Sequence, residues 1–531
     1  HGGLHLGLDD AAPATAAYVD PPGRVAYLSH SQGEIGFAPA GEEQWLQAAR
    51  NRPLYRGDRL WSGRRSRAEL QVGSAAVRLG EDTGLEILDI DDNIAQFQLT
   101  QGSLNLRVRE IYRGQSYEID TPTLAFVIRV PGRYRIDIDP QGAGATLVVW
   151  EGAADAYGAS NRFPLRAGDA VRFYDDDLRD YEMLGVPRGD AFDRYCIERD
   201  QRLDGSESLR YLGRDVAGYA ELDDYGSWRQ ERGYGNVWYP DQVRDDWAPY
   251  REGHWVWQEP WGWTWVDDAP WGFAPSHYGR WAHVDNRWGW VPGPRNVRPV
   301  YAPALVAFVG GSGWSLSISS GNASSIGWFP LGPREVYVPS YRASRGYFNN
   351  VNASNTQINI NNVTNIYNNY ARGDNTLVRV PYANRAIDGA VTAVPGDVFA
   401  NARPVRQSRI RVDGRSMEAV QLSRIAPIAP SARSVVGPGP ASRNQPAARA
   451  FQREVVARHA PPAQQQPFAA RQQQLQRNAG QAPALQAAQA TGGRANGARQ
   501  NVRVIAQQQA ATDARAAGTR RDGEPSPGKP D

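Results

Sequence analysis

One tryptophan-rich phrase recurs three times between Tyr225 and Gly293, and this repeat constrains the fold more than any other feature of the 531-residue chain. The copies run from Tyr225-Gly226-Ser227-Trp228 to Trp238-Tyr239-Pro240, from Glu252-Gly253-His254-Trp255 to Trp263-Thr264-Trp265, and from Tyr278-Gly279-Arg280-Trp281 to Trp290-Val291-Pro292. Their leading tryptophans stand 27 and then 26 residues apart. A unit this short cannot bury its own apolar face, so tandem copies must pack on one another. Alternation such as Trp255-Val256-Trp257 places successive rings on one strand face and predicts β-hairpins. Two uses of the rings stay open. They fill the thin interior of a hairpin array, or they present flat faces to sugars or other planar ligands. The surface in that second reading would comprise Trp255, Trp257, Trp261, Trp263, Trp265, Trp271, Trp281, Trp288 and Trp290.

Upstream of the repeat the chain reads as strand after strand. Ala68-Glu69-Leu70-Gln71-Val72, Ala95-Gln96-Phe97-Gln98-Leu99 and Arg133-Tyr134-Arg135-Ile136-Asp137-Ile138 alternate apolar and polar residues, as strands do with one face on a core and one in water. Glycines punctuate them at the spacing of antiparallel turns, and 54 Gly with 37 Pro across the chain favour a mainly β fold. Along this stretch Arg56-Gly57-Asp58-Arg59-Leu60, Gln101-Gly102-Ser103-Leu104, Thr121-Pro122, Pro131-Gly132-Arg133-Tyr134 and Glu151-Gly152-Ala153 succeed one another in order. That series resembles the turn phrases of the FecR-type periplasmic domain over about 150 residues. The Trp-rich block after it resembles the second half of exported bacterial proteins of unknown function that pair the two regions. The resemblance implies an exported, β-rich domain without catalytic activity. FecR signalling proteins also carry a sigma-engaging helical segment and a membrane helix, and neither has a counterpart in this sequence, so a direct anti-sigma role is not expected.

These readings divide the chain into six regions. An extended segment covers 1–22, the FecR-like β-domain 23–182, a helical connector 183–222, the Trp-rich hairpins 223–347, an Asn-rich β or edge segment 348–400, and a disordered tail 401–531. In the connector, Asp190 is placed to cap one short helix that carries Phe192, Tyr195, Cys196 and Arg199 on neighbouring turns. The Asn-rich segment holds ten asparagines between Asn349 and Asn369, interleaved with aliphatic residues. It reads as an edge strand, a polar loop or a self-association segment. The tail is dominated by Ala, Gln, Arg and Pro, with Phe451 and Phe468 its only aromatics, and such a composition buries too little to offset the cost of ordering.

Charge is divided between the two ends. From Asn401 onward 20 Arg plus Lys stand against 7 Asp plus Glu, or +13, which leaves −11 for the rest of a chain whose net is +2. A basic tail on an acidic body attracts copies of the chain to each other, an effect that salt screens. Guanidinium groups also suit polyanions, although Ala and Gln dilute them below a polybasic cluster, so no specific nucleic-acid contact is expected.

Chemistry-bearing patterns are sparse. Cys196 is the only cysteine, which excludes an internal disulfide and paired-cysteine metal sites. His254, His277 and His283 lack ligand spacing, and Asp267-Asp268 are neighbours that a strand points to opposite faces. No nucleophile elbow, phosphate loop or dinucleotide fingerprint occurs, and no stretch reaches the roughly 18 apolar residues of a membrane span. The reading is therefore a non-catalytic, cofactor-free protein of the periplasm or cell surface, acting as a structural or protein-interaction scaffold. Its expected partners are envelope proteins or copies of itself. Glycan or peptidoglycan binding through Trp faces is one alternative, and a FecR-like part in envelope signalling is another.

Overall fold

The structure is a computed structural model describing residues 18–139, 141, 144–309, 324–377, 381–413, 417, 420–486, 499, 501–505, 512–513 and 519–520. Most of the extended segment expected at 1–22 lies outside the described residues, and so does much of the chain beyond 486.

Residues 26–184 form a β-sandwich. One sheet gathers Ala26–Gln32, Arg67–Val72, Ala75–Leu79, Gly132–Ile138, Ala145–Glu151, Ala170–Phe173 and Asp180–Leu184. The other gathers Ile35–Ala38, Arg59–Ser62, Thr83–Ile90, Ser116–Asp120, Ala125–Ile128, Ala153–Tyr157 and Asn161–Arg166. The 15-residue strand Ile94–Val108 belongs to both, pairing Phe97 with Ile87 in one sheet and Leu106 with Tyr134 in the other. It changes sheets at Gly102, where any Cβ would stand 2.6 Å from the Thr83 backbone. The inward alternates meet between the layers: Phe126 lies edge-on to Tyr134 at 6.0 Å and Phe163 edge-on to Phe173 at 5.0 Å.

The connector forms the helix Ala191–Asp204, capped as expected by Asp190 in a reciprocal pair with Asp193. It is locked to the sandwich by charge. Arg199 and Arg78 both grip the fully buried carboxylate of Glu69, at 2.8 and 2.9 Å.

Next along the chain come three Trp-rich hairpins: Gly226–Glu231 with Gly235–Pro240, Gly253–Gln258 with Gly262–Asp267, and Arg280–Val284 with Arg287–Val291. Trp228 pairs with Trp238, Trp255 with Trp265 and Trp281 with Trp290 across the strands. The repeated glycine now has a cause. A Cβ at Gly226, Gly253 or Gly279 would stand 2.4–2.6 Å from an atom of the ring of Trp238, Trp265 or Trp290, because the second indole of each hairpin lies flat over the backbone where the first strand begins. The first and third hairpins join through Trp238 and Trp290 into one four-stranded sheet, and the second stands apart.

Three expectations are corrected. The connector helix is one of several, since Arg345–Ala353, Ile360–Ala371 and Phe468–Arg477 are also helical. The Asn-rich stretch 349–369 accordingly folds as two helices, and the edge strand of the 348–400 segment is confined to Thr392–Pro395. Val363, Ile366, Tyr367 and Tyr370 pack in one cluster at helical spacing. Ser344 and Asn359 cap the two starts. The asparagines bracket main chain: Asn352 receives Tyr337 N–H at 2.7 Å and donates to Tyr337 O at 2.9 Å, while Asn355 receives Gly279 N–H at 3.0 Å.

The third correction concerns the tail, whose described part from 401 to 486 packs on the body instead of standing free. Leu422–Ser423 adds a strand to the sheet of Val306–Val309, Ser325–Pro330 and Thr392–Pro395. Val405, Met417, Phe451, Val455, Val456, Phe468 and Leu475 are all buried. Few apolar residues are needed, because the body supplies the other wall at each point of contact.

Candidate interaction site

All nine rings of the anticipated Trp surface are interior. Trp261, Trp265 and Trp290 have no exposure, Trp255, Trp257, Trp263 and Trp281 have 1–4%, and Trp271 and Trp288 have 7 and 8%. Trp255 alone meets Trp265, Trp328, Phe308 and Phe399 within 5.5 Å between ring centres. The ligand platform is therefore corrected: strand alternation aims these rings at each other and not at solvent. His277 and Asp267 are structural as well. His277 Nδ1 lies 2.8 Å from Ala302 O, and Asp267 accepts from Trp265 Nε1 and Ala269 N at 2.9 Å each, with burial pushing its carboxyl up to about 7. No group of metal-ligating side chains is present among the described residues.

A hollow of about 540 Å³ lies where the sandwich, the connector, the start of the third hairpin and the helix Arg345–Ala353 meet. Several of its polar groups are engaged with neighbouring elements. The Tyr112 hydroxyl donates to Asp215, the Arg298 guanidinium lies 4.3 Å from the Tyr112 ring centre, and Asp92 receives Gly23 N–H at 2.8 Å. This hollow cements four elements.

A different surface is built to hold something. On Ile94–Val108 the residues Ala95, Phe97 and Leu99 enter the core, so period-two geometry turns Gln96, Gln98 and Thr100 outward. Glu118 and Asp120 stand on the adjoining strand. Sequence alone assigns such a row to water, yet all five are buried, with 0–1% exposure. Their cover is residues 441–459, a strap that crosses the sheet as the 3-10 turn Ala448–Phe451 followed by the strand Val455–Ala457. The row holds its main chain. Gln96 Nε2 donates to His459 O at 2.8 Å, Gln98 Nε2 to Phe451 O at 3.4 Å, and Thr100 Oγ1 to Ala450 O. Glu118 Oε1 receives the N–H groups of Arg458 at 2.7 Å and His459 at 3.2 Å, and Thr121 O receives Val456 N–H at 2.8 Å.

Side chains fix the register. Phe451 enters a slot of Trp45 and Trp61 closed by Gly84, whose Cβ would stand 3.1 Å from the Phe451 ring. Val456 fills a hollow of Ala125, Val127 and Tyr157. His459 Nδ1 meets Glu118 Oε2, and the buried Arg499 meets Glu86. The acidic pair is tuned by its surroundings. Burial, and then the negative charge of Glu118, push the Asp120 carboxyl well above the usual range. Burial would also raise Glu118, but the His459 and Asp120 hydrogen bonds and the Arg458 N–H hold it below its ordinary value. The two shifts run in opposite directions, Asp120 toward its neutral form and Glu118 toward the anion that receives the strap.

With this geometry in hand, the likenesses to known proteins are regional. Residues 219–335 match a family of unknown function, DUF6600. That match spans the three hairpins and the strands after them. Two crystal structures of a candidate anti-sigma factor from Parabacteroides distasonis are similar to part of the chain at 9% identity, covering 35% of this chain and 99% of that one, with TM-scores of 0.23 and 0.22. No curated protein matches. No helix among the described residues is long and apolar enough to cross a membrane.

Proposed function

We propose that the protein is a non-catalytic, exported interaction scaffold of the bacterial envelope, in which the β-sandwich presents a face that grips a polypeptide segment by its main chain. The observation that carries this reading is the buried row Gln96, Gln98, Thr100 and Glu118, whose side chains bind main-chain groups of the strap. Main-chain recognition with a few side-chain pockets is how sheets hold peptides. The Trp hairpins supply a rigid second body behind that face. Export rests on the resemblance of residues 23–182 to a FecR-type periplasmic domain. The order of the turn phrases there also supports a second reading, a FecR-like partner in envelope signalling.

The test uses the full chain. Phe451→Ala weakens the register anchor of the strap, and a fluorescent peptide of residues 446–460 is then titrated onto wild type and variant. Saturable binding to the variant, with at least tenfold weaker binding to wild type whose face is already covered, supports the reading. Equal and non-saturating signals for both, with hydrogen exchange confirming that the strap of the variant has opened, would falsify it. Co-purification with a membrane-bound sensor would favour the signalling reading.

A further inference from the structure

We infer that the strap is exchangeable between molecules, so that residues 441–459 of one chain occupy the polar face of a second copy and join the two. The inference rests on the reading of that face as a polypeptide-binding surface.

Three observations carry it. The first is the nature of the contacts. The face holds the strap through carbonyl and N–H groups and a few pockets, and these are satisfied equally whichever molecule supplies the segment. A second copy is also the occupant whose complementarity is already on view, down to Phe451 in the Trp45–Trp61 slot and His459 on Glu118.

The second is the joint. The helix Ala432–Val436 ends at Gly437, which sits at φ +97°, and the chain continues as Gly437-Pro438-Gly439-Pro440 into the strap. Glycine at a left-handed position lets the chain turn, and the two prolines stiffen the segment beyond it. Upstream of the joint the helix Ala432–Val436 packs on the hairpin strand Gly253–Gln258 and Ser431 donates to Ala400 O at 2.8 Å, while Arg52 of the sandwich donates to Val435 O and Val436 O at 2.6 and 2.7 Å. Downstream it belongs to the sandwich, beginning with the bridge of Ala441 to Leu46. A change of direction at the joint therefore carries the strap together with the chain that follows it, whose Gln465 and Arg471 reach Glu259 and would exchange with it. Swapping an element recovers every native contact, so its cost reduces to association entropy and joint strain.

The third is charge. The tail carries +13 and the remainder −11, and the chain that follows the strap places cations on the body's carboxylates: Arg499 on Glu86, Arg503 on Asp176 at 2.9 Å and Arg471 on Glu259. Opposite fields on the two exchanging parts accelerate encounter between copies and weaken with salt. At low concentration the tethered strap wins through its own high local concentration; exchange grows as the chain is concentrated.

Engineered disulfides read the difference. Thr121 and Val456 are antiparallel bridge partners, which places their Cα atoms about 5 Å apart, within disulfide reach. Cys196 is left in place, since it is buried and burial pushes its thiol up to about 12. One full-length chain carries Thr121→Cys and a second, differently tagged, carries Val456→Cys. A third carries both substitutions, with its fold checked by circular dichroism. The chains are incubated from low to high concentration and then oxidised. The double variant is expected to close within its own chain. The mixture is expected to give a cross-linked heterodimer that rises with concentration, falls with added salt and exceeds either homodimer by about tenfold, because only the hetero pair has the required geometry. If the double variant closes but the mixture stays unlinked at every concentration, exchange is wrong while the face stands. If the folded double variant does not close, the strap is not on that face, and both readings fall.

Discussion

Where the sandwich meets its helix the buried contacts are between charges, whereas where hairpin meets hairpin they are between indoles. Glu69, Arg78 and Arg199 meet with 0, 0 and 7% exposure, a carboxylate compensated by two guanidiniums. The hairpin region buries cations too, but gives them no carboxylate. Arg280 donates to Glu335 O at 3.1 and 2.9 Å and to Asn352 Oδ1 at 3.1 Å, and burial lowers its guanidinium to about 10. Arg251 is held in the same way by Gly389 O and Val391 O. Charge paired with charge is sensitive to acid, while charge solvated by carbonyls is not. The two halves should therefore fail under different stresses.

The largest effect should come from the aromatic half. Trp255→Ala removes a side chain packed on four other aromatic rings and is expected to cost about 4 kcal/mol. Chemical denaturation followed by Trp fluorescence should show the hairpins unfolding early, with the far-ultraviolet signal of the sandwich persisting. A single coincident transition shifted as a whole would mean that the two halves are one cooperative unit.

Next is Glu69→Gln, which leaves the Arg199 guanidinium without its anion and Arg78 with Asp200 alone, at 2.7 Å, and should cost about 3 kcal/mol. Burial would raise the Glu69 carboxyl, but the charges of Arg78 and Arg199 overcome it and hold the group well below the usual carboxylate range. A depressed pKa stabilises the fold above the unfolded value and loses that contribution as pH falls below it. Wild-type stability should therefore decline as pH drops below about 4.5, and Glu69→Gln should flatten that decline. Hydrogen exchange in Ala191–Asp204 reports the local change; an unaltered acid slope in the variant would remove Glu69 as the acid-sensitive lock.

The same contrast explains which elements are legible in the sequence. The hairpins announce themselves because the requirement is local: Gly226, Gly253 and Gly279 recur wherever a partner ring covers the backbone. The connector helix is likewise local, with Asp190 and Asp193 three residues apart. The strap is not local. Phe451, Val455 and Val456 are too few to make a core with their own neighbours, and their partners, Trp45, Trp61, Ala125 and Val127, lie more than three hundred residues away. A strand that shows Gln96, Gln98 and Thr100 on one face looks the same in sequence whether water or another segment covers it. The Asn-rich helices are legible in principle, since Val363, Tyr367 and Tyr370 have helical spacing, but the weak helix propensity of Asn masks it.

Smaller effects distinguish the strap from both halves. Glu118→Gln removes one of two acceptor oxygens where two main-chain N–H groups and His459 converge. It should cost about 2 kcal/mol, confined to the strap and read as faster exchange of the amides of Val455–Ala457. Fraying of the sandwich strands by the same amount would show that strap and sheet open together.

Asp120→Asn should do least, and for that reason it tests the protonation of the pair. The Asp120 carboxyl accepts from Gln96 Nε2 at 2.8 Å and hydrogen-bonds to Glu118. A neutral acid gives that second bond as a donor, and an amide NH₂ replaces it without introducing charge. Asp120→Asn should then lie within about 0.5 kcal/mol of wild type. Asp120→Ala, which leaves Glu118 without that donor and Gln96 with only one of its two acceptors, should cost about 1–2 kcal/mol. Were Asp120 ionised instead, two carboxylates would repel across one buried site, and Asp120→Asn would stabilise the strap. Protection of the Val456 amide, measured across the three variants at one pH, separates the cases: wild type equal to Asp120→Asn for the shared proton, and Asp120→Asn above wild type for two anions.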